Sequence, residues 1–369
     1  MDQRQAVLVT GSSGLIGSRV IGRAPAGLRL IGFDNHGPPE PPVQAECIPV
    51  DLTSDLSVVR AFDRVRYAYG GAIAAVVHLA AFYDFAGEES PMYESLTVRG
   101  TERLLGALHG GAFQVGQFIF SSTMLVHAPC EPGQRITEEW PLDPKWPYPR
   151  SKVEAERVIR AQRGAIPSVV LRIAGVYDDA CESIPLAHQI QRIYERRLTG
   201  RVFPGDTSRG QAFVHLDDVV DAIWLAVARR ADLPQDTTLL IGEPETLSYE
   251  ELQQRLAWLI HGEEHRETTR IPKPVAKAGA WVQDQIPGIE EPFIKPWMID
   301  LADDHYELDI SRARALLGWG PKRSLRETLP KMIEALKADP AAFYKRNKLE
   351  GDPPPIAAPA GDRLERGLA

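Results

Sequence analysis

Short apolar runs alternate with longer amphipathic stretches over residues 1–175. The short runs are rich in β-branched residues and read as buried strands, whereas the longer ones have helical periodicity. Strands are predicted at Val7–Thr10, Leu28–Asp34, Cys47–Val50, Ala75–Leu79, Phe118–Ser122 and Val169–Arg172. Helices are predicted at Leu15–Arg23, Leu56–Tyr69, Tyr93–His109 and Pro149–Arg163. Strands alternating with helices predict an α/β fold with a doubly wound parallel sheet.

The second half of the chain is less regular. Predicted elements are a helix at Asp217–Arg229, a strand at Thr238–Ile241, helices at Ser248–Ile260 and Ser324–Leu336, and an irregular stretch at Glu290–Pro296. We expect residues 1–175 to form the first domain, and 176–340 a smaller α/β part with some return to the first sheet. Residues 341–369, which are proline-rich from position 351, are expected to form a disordered tail.

A glycine-rich turn follows the first predicted strand, in the order Thr10-Gly11-Ser12-Ser13-Gly14-Leu15-Ile16-Gly17. It also opens a predicted helix, which is the context that gives such a motif its meaning. Glycines let the backbone approach a pyrophosphate, and the helix N-terminus supplies N–H donors and positive potential. We therefore predict a dinucleotide site at Gly11, Gly14, Leu15, Ile16 and Gly17.

An acidic residue, Asp34, ends the second predicted strand. An acid at about this distance from the glycine turn accepts hydrogen bonds from the hydroxyls of a ribose and repels a 2′-phosphate. No arginine directly follows Asp34, so NAD is favoured over NADP. The alternative is that Asp34 is a solvated acid at a strand end.

Two further strand ends are candidates for contact with the cofactor. Asp51 and Leu52 follow the third strand, where an acid can meet the adenine amino group, although a helix cap or turn residue explains Asp51 as well. Leu79, Ala80 and Ala81 follow the fourth strand, and their small size would let the backbone pass under the cofactor. A buried strand end explains them nearly as well.

Tyr148 and Lys152 stand four residues apart at the start of a predicted helix. A phenol with a pKa of about 10 is a poor base at neutral pH. A lysine at i+4 lies on the same helix face, and its positive charge favours the phenolate. This pair is therefore a candidate for moving a proton beside the cofactor.

Together these motifs resemble the extended short-chain dehydrogenases/reductases, the NAD-dependent epimerase/dehydratase family. The resemblance spans about residues 5–335 and includes further matches at Ser121-Ser122-Thr123, Leu171-Arg172, Gly175-Val176-Tyr177, Phe213–Val219, Leu308–Ser311 and Leu317-Gly318-Trp319. It implies a Rossmann-type sheet with a smaller C-terminal α/β substrate-binding domain. It also implies that Tyr148 is the general acid/base, that Lys152 activates Tyr148 and binds ribose, and that Thr123 hydrogen-bonds the reacting oxygen.

The chain departs from the family where substrate would bind. Dehydratases carry an Asp-Glu pair after the catalytic threonine, whereas Met124 and Leu125 stand here and hold no transferable proton. Sugar-nucleotide epimerases usually have an asparagine at Gly175, an arginine at Gln211 and another arginine within 296–304, a stretch that has none here. Arg209 could replace one of these cations. A diphosphate favours cationic donors, so their loss argues against a nucleotide-linked substrate.

The expected activity is thus that of an NAD-dependent oxidoreductase that interconverts a secondary alcohol and a ketone of modest size. An NAD-dependent sugar-nucleotide epimerase is the alternative, and a non-catalytic NAD-binding regulator is a third reading. The aromatic loop Phe82–Phe85 would form one wall for a flat or apolar substrate, or pack against the second domain. His127 is either an extra proton donor or a structural histidine.

Charge and composition exclude some partners. The formal net charge is −8, which disfavours sequence-independent binding of nucleic acid. No apolar run is long enough for a membrane span, and no signal peptide is recognisable before the first strand, so a cytoplasmic protein is expected. Three scattered cysteines suggest no metal site. The family resemblance implies a homodimer. It also implies a small molecule as the substrate.

Overall fold

The computed structural model describes residues 5–37, 45–85, 87–284 and 295–354. Strands are β1 Gln5–Thr10, β2 Leu28–Asp34, β3 Glu46–Pro49, β4 Ala72–His78, β5 Gln114–Val115, β6 Phe118–Thr123, β7 Ser168–Ile173, β8 Gly175–Tyr177, β9 Val202–Pro204, β10 Phe213–His215, β11 Asp236–Ile241 and β12 Thr269–Ile271. Helices are α1 Leu15–Gly22, α2 Asp55–Tyr69, α3 Arg99–Gly110, α4 Pro147–Gln162, α5 Ile184–Tyr194, α6 Leu216–Ala228, α7 Tyr249–His261, α8 Lys273–Asp284, α9 Pro296–Asp300, α10 Ser311–Leu317, α11 Leu325–Ala338 and α12 Pro340–Arg346.

The main sheet is parallel and has the order β11-β7-β6-β4-β1-β2-β3, with the short β5 paired to β4. Its strands are buried because helices cover both faces: Val7 and Val9 of β1 pack into one core, and Leu8 packs into the other. This confirms the predicted Rossmann-type doubly wound α/β fold. The order reverses around β1, which has β2 on one side and β4 on the other, and ligands bind at such a switch point.

One predicted helix has a different beginning. The stretch Tyr93–His109 was expected to be a single α-helix, but it begins with a π-helical segment, Tyr93–Val98, before α3. Within this segment the Thr97 hydroxyl accepts a hydrogen bond from the Phe82 backbone N–H (3.0 Å). The π turn thus coincides with a contact to the loop after β4, which helical periodicity does not reveal.

The second half of the chain adds a smaller core beside the main sheet. Helices α5, α7, α11 and α12 bury their apolar faces together, while β8 pairs with β10 and β9 with β12. Strand β11 returns to the edge of the main sheet beside β7. Most of the predicted irregular stretch Glu290–Pro296 lies outside the described residues, although Pro296 begins α9.

The expectation of a disordered tail from residue 341 was wrong at its start. The Asp339 side chain accepts a hydrogen bond from the Ala342 N–H (2.9 Å) and caps α12, whose first residue is Pro340. Phe343 and Tyr344 are buried in the smaller core. A helix cap and two buried aromatics therefore outweigh the proline-rich composition that follows, and residues 355–369 lie outside the described chain.

The packing of α1 onto the glycine turn yields a test of the fold. A Cβ on Gly17 would lie 2.0 Å from the Gly11 carbonyl oxygen, whereas a Cβ on Gly22 of the same helix meets nothing within 4 Å. We expect Gly17→Ala to destabilise the protein by about 1–3 kcal/mol through overpacking. The matched variant Gly22→Ala should be neutral or slightly stabilising. Equal melting temperatures for the two variants would contradict this close approach.

Candidate active site

The glycine turn forms a cradle at the carboxyl end of β1. Gly11 has φ +67°, and a Cβ there would come 2.9 Å from the Ala80 backbone nitrogen. Gly14 is the N-cap residue of α1 and offers no side chain to the first N–H groups of the helix. The close backbone approach at Gly11 and Gly17 leaves no room for a side chain. Such a turn before a helix N-terminus suits a pyrophosphate, and dinucleotide binding at these glycines stays a prediction.

Asp34 lies at the edge of this cradle. One carboxylate oxygen accepts a hydrogen bond from the Ser13 N–H, and the other accepts one from the His36 N–H, both at 2.9 Å. The side chain is only 10% exposed. The carboxylate thus fixes the glycine turn against the end of β2, in a place that also suits a ribose hydroxyl.

Asp51 and Leu52 have local roles in the structure. The Asp51 carboxylate accepts hydrogen bonds from the Thr53 N–H (2.8 Å) and the Thr53 hydroxyl (2.7 Å). This is the turn that the sequence left open as an alternative, and contact with adenine stays a prediction. Leu52 is buried, and a Cβ on Gly100 of α3 would lie 3.3 Å from its Cβ.

The end of β4 is fixed by a buried histidine. The two ring nitrogens of His78 lie 2.6 Å from the Thr10 hydroxyl and 3.0 Å from the Thr101 hydroxyl. Burial lowers the His78 pKa to about 3, so the ring is neutral. The Ala80 N–H donates to the same Thr10 hydroxyl (3.2 Å), and this places Leu79 to Ala81 beside the glycine turn.

A cleft of about 500 Å³ lies beside this turn. Leu15 and Ile16 line it, whereas the other predicted cofactor residues Gly11, Gly14, Gly17, Asp34, Asp51, Leu52 and Ala80 are outside its lining. It brings together the predicted catalytic residues Thr123, Tyr148 and Lys152 with predicted cofactor residues from the turn and from β4. Further lining comes from the loop after β4, β6, Trp146, β7, β8, β10, α5 and the end of α12. Among the lining residues are Leu15, Ile16, Leu79, Ala81, Thr123, Met124, Leu125, Tyr148, Lys152, Gln211 and Phe213.

Lys152 is buried beneath Tyr148. Its ammonium donates a hydrogen bond to the Ser121 carbonyl (2.7 Å) and lies 5.6 Å from the centre of the Tyr148 ring. Burial lowers the Lys152 pKa to about 7, against the opposing effect of the Glu156 carboxylate. The lysine is therefore close to its titration point near neutral pH.

Burial also acts on Tyr148, which lies in the first turn of α4. It raises the pKa of the phenol, and the neighbouring Tyr93 adds to the rise. The sequence led us to expect that Lys152 would lower this pKa. The structure shows a raised pKa, so this expectation is not met. Desolvation of the phenolate is the largest cause of this rise.

Thr123 and its neighbours end β6 below the cleft. The Thr123 hydroxyl accepts a hydrogen bond from the Leu125 N–H (3.3 Å) at the 3₁₀ turn Met124–Val126. The Ser122 hydroxyl donates to Glu156 (2.6 Å), which commits it to a buried network. Thr123 is thus better placed than Ser122 to contact a ligand.

His127 belongs to the same buried network and not to the cleft lining. One ring nitrogen lies 3.0 Å from the Trp140 carbonyl, and the other lies 3.1 Å from an Arg172 nitrogen. Burial, followed by the charge of Arg172, lowers its pKa to about 4. The structure favours the structural role of His127 over that of a proton donor.

An aromatic wall, formed by Tyr83, Phe85, Trp146 and Trp297, surrounds Tyr148. Tyr83 packs edge-on against Tyr148 with ring centroids 4.8 Å apart, and Trp146 lies 5.4 Å from it. Trp297 stacks on Trp146 at 5.1 Å. The aromatic loop after β4 therefore lines the cleft through Tyr83 and Phe85, and Trp146 is a lining residue that the sequence did not indicate.

The departures from the family pattern lie in the same cleft. Gln211, Met124 and Leu125 line it. A Cβ on Gly175 would come 2.8 Å from the Phe213 ring, so this ring occupies space that an asparagine side chain would need. Arg209 is paired with Glu131 outside the lining. The structure also adds three charged lining residues that the sequence did not indicate: Glu182, Arg346 and Lys348.

Comparison with known proteins agrees with this geometry. Residues 7–242 match the model of the NAD dependent epimerase/dehydratase family. The chain belongs to this family. It is therefore an NAD-dependent enzyme of the extended short-chain dehydrogenase type, as the sequence predicted.

Relatives of this epimerase/dehydratase family member cover most of its length. The dTDP-6-deoxy-L-talose 4-dehydrogenase (NAD(P)(+)) of Kitasatospora kifunensis is 26% identical over 350 residues, 91% of this chain and 97% of the relative. The UDP-glucose 4-epimerase of Mycolicibacterium smegmatis is 26% identical over 339 residues, 89% and 97% of the two chains. The structure of MoeE5 in complex with UDP-glucose and NAD has the same fold, with a TM-score of 0.67, 23% identity and coverage of 91% and 100%.

No helix in the described ranges is long and apolar enough to cross a membrane. Within the same ranges, no cluster of three histidine, cysteine or acidic residues is arranged to hold a metal ion.

The position of Asp34 yields a test of cofactor choice. We expect Asp34→Ala to weaken NAD binding more than NADP binding, because it removes a ribose acceptor and a charge that repels a 2′-phosphate. Asp34→Asn is the comparison variant, since it keeps one oxygen for the Ser13 N–H while it removes the charge and places an NH2 group where the second oxygen accepts from the His36 N–H. Calorimetric titration of both cofactors measures the ratio, and an unchanged NAD-to-NADP ratio in Asp34→Ala would remove Asp34 from the ribose site.

The burial of Lys152 predicts a pH-dependent stability. Its folded pKa of about 7 is below its unfolded value, so between these pH values the unfolded chain binds more protons. Raising the pH through this window should therefore stabilise the wild-type fold relative to Lys152→Met. The difference in melting temperature, wild type minus variant, should rise between pH 7 and about pH 10. Parallel melting curves across that range would show that Lys152 is not buried as described.

Proposed function

We propose that the protein is an NAD-dependent epimerase of a nucleotide-linked sugar. The observation that carries this is the cleft that Thr123, Tyr148 and Lys152 line together with Leu15 and Ile16, which follow the glycine turn. Two relatives that align with about nine tenths of the chain are named for activities on nucleotide-linked sugars. They support the epimerase alternative over the first expectation of a simple alcohol dehydrogenase.

The proposed chemistry is the reversible oxidation of a secondary hydroxyl. NAD, when bound, would supply a reversible hydride acceptor for this step. Tyr148 takes the hydroxyl proton onto its phenolate oxygen and returns it when the keto group is reduced. The Lys152 ammonium beneath the ring favours the phenolate, and the Thr123 hydroxyl orients the reacting oxygen.

Elimination of water does not fit this cleft. Met124 and Leu125 line it at the positions where dehydratases carry an acid and a base. Neither side chain holds a proton that it can transfer. The keto intermediate would therefore be reduced again rather than dehydrated.

A dehydrogenase with net formation of NADH is the second candidate. The Kitasatospora relative is named as a 4-dehydrogenase, and the aromatic wall around Tyr148 makes a largely apolar lining on one side of the cleft. The two candidates share the step at Tyr148. They differ in the step that follows. In an epimerase the keto intermediate reorients and is reduced on its other face, whereas a dehydrogenase releases the ketone and NADH.

The test is turnover together with the cofactor content. We expect the purified protein to carry tightly held NAD, by native mass spectrometry, and to equilibrate 4-epimers of a UDP- or dTDP-hexose without accumulating NADH. Tyr148→Phe should lose at least roughly 100-fold in turnover, because the general acid/base is gone, and should keep its NAD. Tyr67→Phe, at an exposed position on α2, is the matched control.

The possible outcomes separate the candidates. Steady accumulation of NADH with one of these sugars would favour the dehydrogenase. Full activity in Tyr148→Phe would reject the role proposed for Tyr148. Absence of activity and of binding with every UDP- and dTDP-hexose would reject the nucleotide-linked substrate.

A further inference from the structure

The end of α12 forms part of the wall of the substrate cleft. Arg346, Asn347 and Lys348 are lining residues, together with the segment Glu182–Pro185 that leads into α5. The cleft wall is thus built in part by a C-terminal segment outside residues 7–242, which match the family model.

Asn347 attaches this segment firmly to the cleft wall. Its side-chain oxygen accepts a hydrogen bond from the Glu182 N–H (2.8 Å). Its side-chain nitrogen donates to the carbonyls of Ala180 (3.1 Å) and Phe343 (3.0 Å). The side chain is buried and fully used, so the end of α12 has a defined position against the wall.

Arg346 adds two charged contacts to the same attachment. Its Nε donates to Glu182 (2.7 Å), and one terminal nitrogen lies 3.4 Å from an oxygen of Asp178. These bonds pair the charge of Arg346 with carboxylates of the wall. Arg346 and Asn347 are therefore positioning residues for the residue that follows them.

Lys348 has an unfavourable backbone conformation at this point. Its φ is +54°, in the left-handed region that glycine or asparagine adopts more easily after a helix C-cap. Its side chain makes no hydrogen bond or ion pair with any residue that the structure describes. A cation without a partner, kept in a cleft wall at a position that suits glycine, indicates a role for the side chain.

The beginning of α5 adds to the positive potential of this wall. Ser183 is the N-cap residue of this 11-residue helix, but its side chain makes no capping hydrogen bond. Ser183, Ile184 and Pro185 line the same cleft as Lys348. The helix N-terminus therefore supports an anion near Lys348, although it would not establish one alone.

We propose that Lys348, positioned by Arg346 and Asn347, binds the diphosphate of the nucleotide-linked substrate. The inference rests on the proposed function, since it names how that substrate is held. It accounts for the missing family cations, because Gln211 stands in place of one arginine and residues 296–304 supply none. The charge for the diphosphate would come from a different part of the chain.

Lys348→Gly tests this proposal without endangering the fold. Glycine relieves the left-handed conformation, so the melting temperature should stay the same or rise. In the full-length, NAD-loaded protein we expect the Kd for uridine diphosphate or thymidine diphosphate to rise roughly tenfold, as for the loss of one charge-assisted hydrogen bond. The wild-type affinity should also fall more steeply with ionic strength than that of the variant.

Two further variants complete the experiment. Lys345→Ala removes a neighbouring exposed lysine of α12 that does not line the cleft, and its Kd should equal that of the wild type. Lys348→Asn also tolerates the left-handed conformation and replaces Lys348→Gly if the latter melts lower. Titration calorimetry with the two nucleoside diphosphates gives all the values.

The outcomes separate this inference from the proposed function. If the wild type binds a nucleoside diphosphate and the Lys348 variants bind it equally well, the inference is overturned and the proposed function stands. If the wild type binds neither diphosphate, the proposal of a nucleotide-linked substrate is rejected, and the proposed role of Lys348 is rejected with it. Weaker binding in Lys345→Ala, equal to that in Lys348→Gly, would reduce the effect to general surface charge.

Discussion

The buried ion pair between Glu156 and Arg172 holds the candidate active site together. Arg172 of β7 donates to both carboxylate oxygens of Glu156 in α4, at 3.1 and 2.7 Å. Glu156 stands one helical turn after Lys152 in α4. The bonds between Glu156 and Arg172 therefore hold this part of α4 against β7 of the sheet. Removing one partner of such a pair leaves a buried charge at a cost of about 3–5 kcal/mol. The placement of Tyr148 and Lys152 therefore depends on a contact made outside the cleft.

Burial of this network has an electrostatic consequence for the site. It lowers the pKa of Lys152, His78 and His127 and raises that of Tyr148. Burial thus disfavours the charged form of each of these four groups. In such a medium a positive charge that comes close to the phenol acts on it with little screening.

Local patterns in the sequence were sufficient to predict the strands of the main sheet and the position of the glycine turn. β2 has the predicted bounds, and β4 begins at Ala72 rather than Ala75. The glycine turn was recognisable because its constraint is local: a strand, a turn and a helix follow one another in the chain. Asp34 was recognisable for the same reason, since it ends the neighbouring strand.

Features that depend on distant contacts were not predictable in this way. Trp146 lies in an irregular stretch and becomes part of the aromatic wall through ring contacts with Tyr83 and Trp297, which are distant in the chain. The π-helical segment before α3 coincides with the hydrogen bond that the Phe82 N–H, in the loop after β4, donates to the Thr97 hydroxyl. Helix α12 was not predicted because the prolines after it made the C-terminal stretch look disordered. Asp339 and Pro340 are nevertheless ordinary signals for the start of a helix.

These missed features change how the departures from the family pattern are understood. From the sequence, Gly175 and Gln211 appeared to be losses of phosphate ligands. In the structure the Phe213 ring occupies the space beside Gly175, and the end of α12 brings cationic residues to the same cleft. A binding requirement is set by the charge that reaches the ligand and not by the position in the chain that supplies it. Missing motif residues therefore exclude a diphosphate only where no other part of the cleft lining carries positive charge.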